Sequence, residues 1–474
     1  LTRLAHLDRS AQARDEAYHC LRRAIDAVAV ASEPRLARDL YRAIGELGHQ
    51  HALFEVAYPG YATALSIGNF LFDEVASPDG RRQELVEIRG CAQFAAYAAA
   101  RIGRTEEAIR LAEAGRTRTL VEAMATNALL AGQAPPAVRE ALLAASSRVA
   151  ELEAELRTIE DRDPRAIASQ MHRRLADVLG GNPEGLGHRL LDAGASSSPV
   201  TEDYLRVTPQ LRTARTALRQ ALLAAREGPA GGRIAPLDAA GIGAVARAIG
   251  RPLVYLMSTT WGSVALIVAP DGDLATVWLD EATSDFTRSL LIGPDDGSCQ
   301  QGARHGDAQA LARVIPSVID ALAGAIVQPL ASRLIEMGHD RAILVPLGTI
   351  GQLPLHAAAP DGLCLGYGAS AKALQAALAS PSGSGRPALL AVGNPTRTDQ
   401  AALPLATAEV RAIAAMPNTW RQTSLCLEAE ARIQPLLAAA ATATHLHFAG
   451  HGVFRPSEPM DSALLLADLD RISL

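Results

Sequence analysis

Lysine is almost missing from this chain of 474 residues. Lys and Arg together number 45, and Lys372 is the one lysine among them. The net charge is −6, so no basic surplus marks a surface for nucleic acid or anionic lipid. Cysteine is sparse: Cys20, Cys91, Cys299, Cys364 and Cys426 lie far apart. None forms a Cys-x-x-Cys pair, which argues against a zinc site or a disulfide framework. A reducing cytosol is the expected compartment. Long apolar runs are missing too. The longest window, residues 253–268, is broken by Ser258, Thr259, Thr260, Gly262 and Ser263 and does not read as a membrane span. No signal peptide is visible. The sequence opens on Leu1 and stops just after a strand-like segment, so a longer parent is expected.

What is present is arginine, alanine and helical periodicity. The length corresponds to about two to four domains. Residues 1–135 read as an array of helices. The clearest unit is Phe94, Ala95, Ala96, Tyr97 and Ile102, then a turn at Gly103, then Ala108, Ile109 and Ala112. Apolar residues recur three and four apart on both sides of the turn, which is a helix–turn–helix hairpin. Looser copies precede it at residues 37–57 and 17–25, and an ordinary bundle is the alternative. Residues 136–230 read as a long helical linker. Val138, Leu142, Leu143, Val149, Leu152 and Leu156 read as the apolar stripe of one long amphipathic helix or of a coiled-coil hairpin. The stripe ends at Arg162-Asp163-Pro164. Loops follow at 180–183 and 194–199, a helix at 208–226, and the main linker at 228–232.

From residue 231 to 474 apolar strands alternate with helices. Strands are expected at 253–257, 264–268, 275–279, 342–346, 388–392 and 445–449. Helices are expected at 308–337, 371–378, 407–415 and 433–440. Such alternation argues for a mostly parallel sheet flanked by helices, an α/β domain behind the helical array.

The chemistry concentrates at the last of these strands, expected to be buried through Leu446 and Phe448. It breaks at Gly450-His451-Gly452, where open α/β sheets place reactive groups. Three readings of His445, His447 and His451 stay open. His445 and His447 share a strand face and could ligate a metal, though no Cys or Glu nearby has matching spacing. All three could be structural. Or His451 could be the base of a Cys–His pair, with the Gly452 N–H facing a developing oxyanion.

The stretch Thr444 to Gly452 resembles the histidine motif of CHAT domains, the caspase- and separase-like cysteine peptidases often joined to tetratricopeptide repeats. Further pieces occur in the family's order: Ile343 to Pro354, Tyr367 to Ser370, Gly393-Asn394-Pro395, Leu403 to Glu409, Glu430 to Arg432, and Ser462 to Asp468. The N-terminal hairpins resemble tetratricopeptide repeats. The resemblance implies His451 as catalytic, Gly452 as an oxyanion donor, no metal or organic cofactor, and a caspase-like fold. It implies a bacterial, cytosolic endopeptidase whose helical array binds a protein substrate or regulator, without direct nucleic-acid or membrane partners. The family's nucleophilic Cys follows the histidine by some tens of residues. No cysteine here matches that motif, so the thiol is expected beyond residue 474, and Cys426 is a weak replacement. Asp461 and Asp468 could recognise a basic side chain or simply cap turns. A non-catalytic scaffold is the alternative function.

Overall fold

A computed structural model describes residues 11–27, 33–74, 78–115, 237–293, 308–379, 387–453 and 462–473, with scattered positions between 140 and 220. By its internal contacts the chain divides into two units, Leu1–Ala379 and Ser380–Leu474.

The first unit opens with helices α1 (Ala11–Ala27), α2 (Pro34–Gln50), α3 (Phe54–Glu74), α4 (Pro78–Glu87), α5 (Cys91–Arg101) and α6 (Thr105–Ala114). The α5–α6 pair is the hairpin read from the sequence, with Gly103 left-handed at its turn. α2 runs further than its sequence suggests. The turn falls at residues 51–53, closed by Leu53 N to Gly48 O at 2.8 Å. Small residues let α2 and α3 touch. A Cβ on Gly60 would stand 2.5 Å from the Gly45 nitrogen, and one on Gly48 2.6 Å from the Ala57 nitrogen. Gly60→Ala should therefore destabilise the first unit by about 1–3 kcal/mol. A lower urea midpoint at unchanged slope is the expected reading.

α7 (Ala239–Ile249) leads into β1 (Leu253–Thr259), β2 (Gly262–Val268) and β3 (Leu274–Leu279). These form an antiparallel meander, and β1 also pairs in parallel with β4 (Arg341–Leu347), which pairs in parallel with β5 (Cys364–Tyr367). The order is β3-β2-β1-β4-β5. The meander departs from the mostly parallel sheet expected from the sequence. Thr260-Trp261 and the turn before Leu274 are too short for crossovers, so the strands they join must run antiparallel. α8 (Ser284–Ile292) follows β3. The single helix expected at 308–337 is α9 (Ala308–Leu322) and α10 (Gln328–Glu336), joined by a π-turn at Ala323–Val327. Pro329 brings no N–H to an α ladder, and the widened turn precedes it. Ala312–Glu336 is the one stretch among the described residues long and apolar enough to cross a membrane; it is partly buried, and one such helix carries no membrane assignment.

β1 and β2 are wholly buried, which requires cover on both faces. Tyr255, Met257, Val264 and Leu266 pack with Ala95, Ala108, Ile109 and Ile242 from the helical array and α7. Val254, Leu256, Ala265 and Ile267 pack with Leu322, Ile326, Leu330 and Leu334. The array is thus one covering layer of the sheet. The alanines of α5 explain how: Ala95, Ala96, Ala98 and Ala99 are fully buried, so this thin helix fits between α3, α6 and β1.

Polar contacts seat the β1–β2 turn against the array. Gln93 Nε2 donates to Ser258 O at 2.6 Å, and Tyr97 OH to Trp261 O at 2.8 Å. The Arg101 guanidinium lies 3.9 Å from the Trp278 ring centre. His49 is buried among Phe54, Tyr61, Phe94 and Tyr97, with Nε2 3.3 Å from Thr260 Oγ1 and no partner for Nδ1. Burial pushes the His49 imidazole down to about 4. The unfolded chain therefore binds the extra proton between about pH 6.5 and 4, and stability falls as the pH drops through that window. A loss of about 3 kcal/mol is expected across it. His49→Phe should flatten this slope in urea titrations at pH 7 and pH 4.5.

Described positions between 140 and 155 and between 203 and 220 are helical. They pack through Val149, Leu152, Val207, Leu211 and Ala214, as a helical hairpin would. Val138, Leu142 and Leu156, the loops at 162–164, 180–183 and 194–199, and the linker at 228–232 lie outside the described residues. α11 (Ala371–Ala379) ends the first unit.

The second unit holds two small sheets. β6 (Ala388–Gly393) runs parallel between β7 (Gln422–Leu427) and β8 (His445–Ala449). β9 (Gly452–Val453), β10 (Ala463–Leu465) and β11 (Arg471–Ser473) form an antiparallel meander. α12 (Pro404–Ala414) and α13 (Ile433–Ala440) complete it. Leu389, Ala391 and Ala449 pack on α12; Leu390, Val392 and Cys426 pack with Leu436 of α13. β5 and β7 had no sequence signal strong enough to read. The one is four residues long and the other largely exposed.

Candidate active site

The loop from β6 to α12 gathers the tips of its neighbours. Asn394 turns the chain in a left-handed conformation, with φ at 49°. Its amide donates to Ala449 O at 2.9 Å, and its side-chain oxygen accepts from Leu403 N at 2.6 Å. Thr396 N donates to Glu428 O at 3.2 Å, beyond β7, and Thr396 O accepts from Asp468 N at 2.9 Å. Arg397 and Asp399 follow, then Ala401.

His451 stands just past β8, half-buried. Its Nε2 lies 2.7 Å from Ala401 O. A carbonyl only accepts, so Nε2 carries a proton, and in the neutral ring the lone pair is on Nδ1. The His451 carbonyl accepts from Leu465 N at 2.9 Å. Gly452 lies opposite Leu464 in the antiparallel register. Since bonded pairs alternate along such a ladder, the Gly452 N–H points away from β10. A Cβ there would meet nothing closer than 3.8 Å, so packing does not demand the glycine. Gly450 differs: a Cβ would press on Phe448 and Pro395 at 3.0 Å.

His445 and His447 share a face of β8 but are committed apart. His445 Nδ1 lies 2.9 Å from Thr444 Oγ1 and its ring meets Trp420 edge-on. His447 Nε2 lies 2.8 Å from Glu409 Oε1 on α12. Among the described residues no three His, Cys, Asp or Glu side chains converge as a metal set would. The strand carrying them is not buried as expected: Leu446 is 57% exposed and only Ala449 is buried. β8 is an edge of its three-stranded sheet, and α13 packs over β6 and β7 instead.

Cys426 sits opposite Val392 on β7, with β6 between it and β8. Two strand spacings put about 10 Å between those strands. Burial, with the Glu430 charge adding, pushes the Cys426 thiol up. It is therefore no partner for His451. Asp468 stands in a left-handed turn and pairs with Arg432, both side chains being more than half exposed. Asp461 and Cys299 lie outside the described residues.

Sequence reasoning missed Ala401, Arg397 and Asp399. A backbone carbonyl carries no residue signature, so Ala401 had no signal. Arg397, an arginine among 45 Lys and Arg residues, had nothing to distinguish it until its burial was seen. Glu409 was visible in its motif, but not its partner.

The second unit is thus a short parallel sheet flanked by helices, with His451 held just beyond its carboxyl edge. Residues 317–472, about a third of the chain, match the CHAT domain family, a caspase-like domain related to peptidases. The match begins inside α9, so β1 to β3 precede it although they share a sheet with β4 and β5. No curated protein matches this chain.

Proposed function

We propose that this chain carries the base half of a cysteine endopeptidase of caspase-like fold. His451 is the acid/base and Gly452 the oxyanion donor. The thiol belongs on a strand laid against the open edge of β8, outside the described residues. The observation that carries this reading is the Ala401 carbonyl, which holds a proton on Nε2 and so leaves Nδ1 of the neutral ring as the basic nitrogen. Nδ1 takes the thiol proton, the thiolate attacks the scissile carbonyl, and the oxyanion meets the Gly452 N–H. The imidazolium then protonates the leaving amine, and water, deprotonated by Nδ1, releases the acyl group. No metal or organic cofactor enters these steps.

The helical array is tetratricopeptide-like and binds a protein substrate or regulator in a bacterial cytosol. The experiment is cleavage of a peptide library by the full-length protein, with and without iodoacetamide. Cleavage that alkylation abolishes supports the reading, and alkylation-resistant cleavage overturns it. One observation favours a second reading, a non-catalytic scaffold: the described cysteine of the His451 unit, Cys426, is buried on β7, with β6 between it and the strand that leads to the histidine. Partner binding by the array without cleavage of any peptide would decide for the scaffold.

A further inference from the structure

We infer that Arg397 is a positioning residue for His451, holding residues 399–401 so that the Ala401 carbonyl binds the imidazole Nε2–H. The inference rests on the reading of His451 as acid/base, and it names a part of that site which the family match does not assign.

The Arg397 side chain is 5% exposed, and four acceptors surround its guanidinium. Nε and one terminal nitrogen grip both oxygens of Asp399, at 2.7 and 2.8 Å. The other terminal nitrogen donates to Leu466 O at 2.7 Å and Asp470 O at 3.1 Å. One fork thus ties the β6–α12 loop to the turn between β10 and β11. A lysine's single ammonium has neither the plane nor the span to bind both groups.

This tie is not needed merely to hold the two loops together. Thr396 already bonds Glu428 and Asp468 through its backbone. Those bonds pin the loop on the N-terminal side of Arg397. What Arg397 adds lies on the other side: it seats Asp399, two residues before the carbonyl that binds His451. Asp399 is also where the two charges meet. The Arg397 hydrogen bond holds its carboxyl below the usual range, and the charge of His451 contributes in the same direction. An imidazolium formed during proton transfer would therefore gain from the charge of a carboxylate that Arg397 already holds in place.

The test needs no catalysis. The chain is labelled with 15N-histidine, and the His451 ring signals are assigned by their loss in His451→Gln. In the wild type the Hε2 proton should be visible and protected from solvent exchange. Arg397→Ala should lower that protection about tenfold or more, and millimolar guanidinium ion should restore it. Arg432→Ala, which breaks the neighbouring pair with Asp468, should leave it unchanged. An unprotected Hε2 in the wild type overturns the reading of the His451 site itself. A protected Hε2 that survives Arg397→Ala overturns the positioning role alone. Should Arg397→Ala not fold, Asp399→Ala breaks the same link from its exposed end, and unchanged protection in that variant overturns the role equally. Loss of protection that guanidinium does not restore, with amide exchange raised throughout the unit, would show a folding role instead.

Discussion

Full-length protein with His451→Ala should lose peptide cleavage by about four orders of magnitude or more. The thermal midpoint should stay close to that of the wild type. The two expectations separate because His451 contributes little to the fold. Its ring is half-buried and makes one hydrogen bond, to a carbonyl. Losing that bond costs about 1 kcal/mol. The chemistry has no substitute for the ring: without a base, the thiol stays protonated at neutral pH, and nothing protonates the leaving amine. His451→Gln should be as inactive, since Gln can bond the Ala401 carbonyl but cannot take a proton. Cleavage by either variant near the wild-type rate would remove the basis of the peptidase reading. His447→Ala should behave differently, with a modest stability loss, because its partner Glu409 is half-exposed and such pairs contribute about 1 kcal/mol or less.

The largest expected effect on stability is at Glu113, in the last turn of α6. Its carboxylate is buried, 6% exposed, and sits between the array and the sheet. Oε2 accepts from Tyr255 OH at 2.6 Å and from Ala371 N at 3.0 Å, while Oε1 accepts from Lys372 N at 2.8 Å. One side chain thus caps the start of α11 and holds a tyrosine of the central strand. Glu113→Ala takes the acceptor from three buried donors at once, and a loss of about 3–5 kcal/mol is expected. Urea unfolding followed by near-ultraviolet circular dichroism would report it. Tyr255→Phe removes one of the three bonds and should cost about 1 kcal/mol. In the double variant the two losses should fall short of additive, as for groups in direct contact. Additive losses, or a Glu113→Ala loss below about 1 kcal/mol, would show that the carboxylate holds nothing together.

The other expectations ask the same question on a smaller scale. The close approach at Gly60 and the buried imidazole of His49 both lie where helices of the array meet each other or the sheet. Together with Glu113 they make the array a structural layer of the first unit.

Much of this was legible in the residues. The apolar strands at 253, 264, 388 and 445 and the helix at 433 fall where periodicity put them, because period is a local property of the chain. The His451 motif was legible for the same reason: glycines on both sides of a histidine at a strand end are poor packing material wherever they occur. β8 misled through its composition. Leu446 and Phe448 read as buried, yet a strand's burial depends on what lies beside it, and β8 is an edge. Cys426 could not be judged in sequence either. Its separation from His451 rests on β6 lying between β7 and β8, a fact of pairing across distance.

By itself, then, the sequence determined the periods, the turns and the place of His451 between two glycines at a strand end, where we propose that it acts. Those follow from side-chain types within a few residues of one another. Only the tertiary structure decided which carbonyl that imidazole would meet, which arginine would lie buried beside that loop, and which face of the first sheet the helical array would cover. Each of these joins groups far apart in the chain, and a backbone carbonyl or a buried guanidinium acquires its role only from what folding brings within about 3 Å of it.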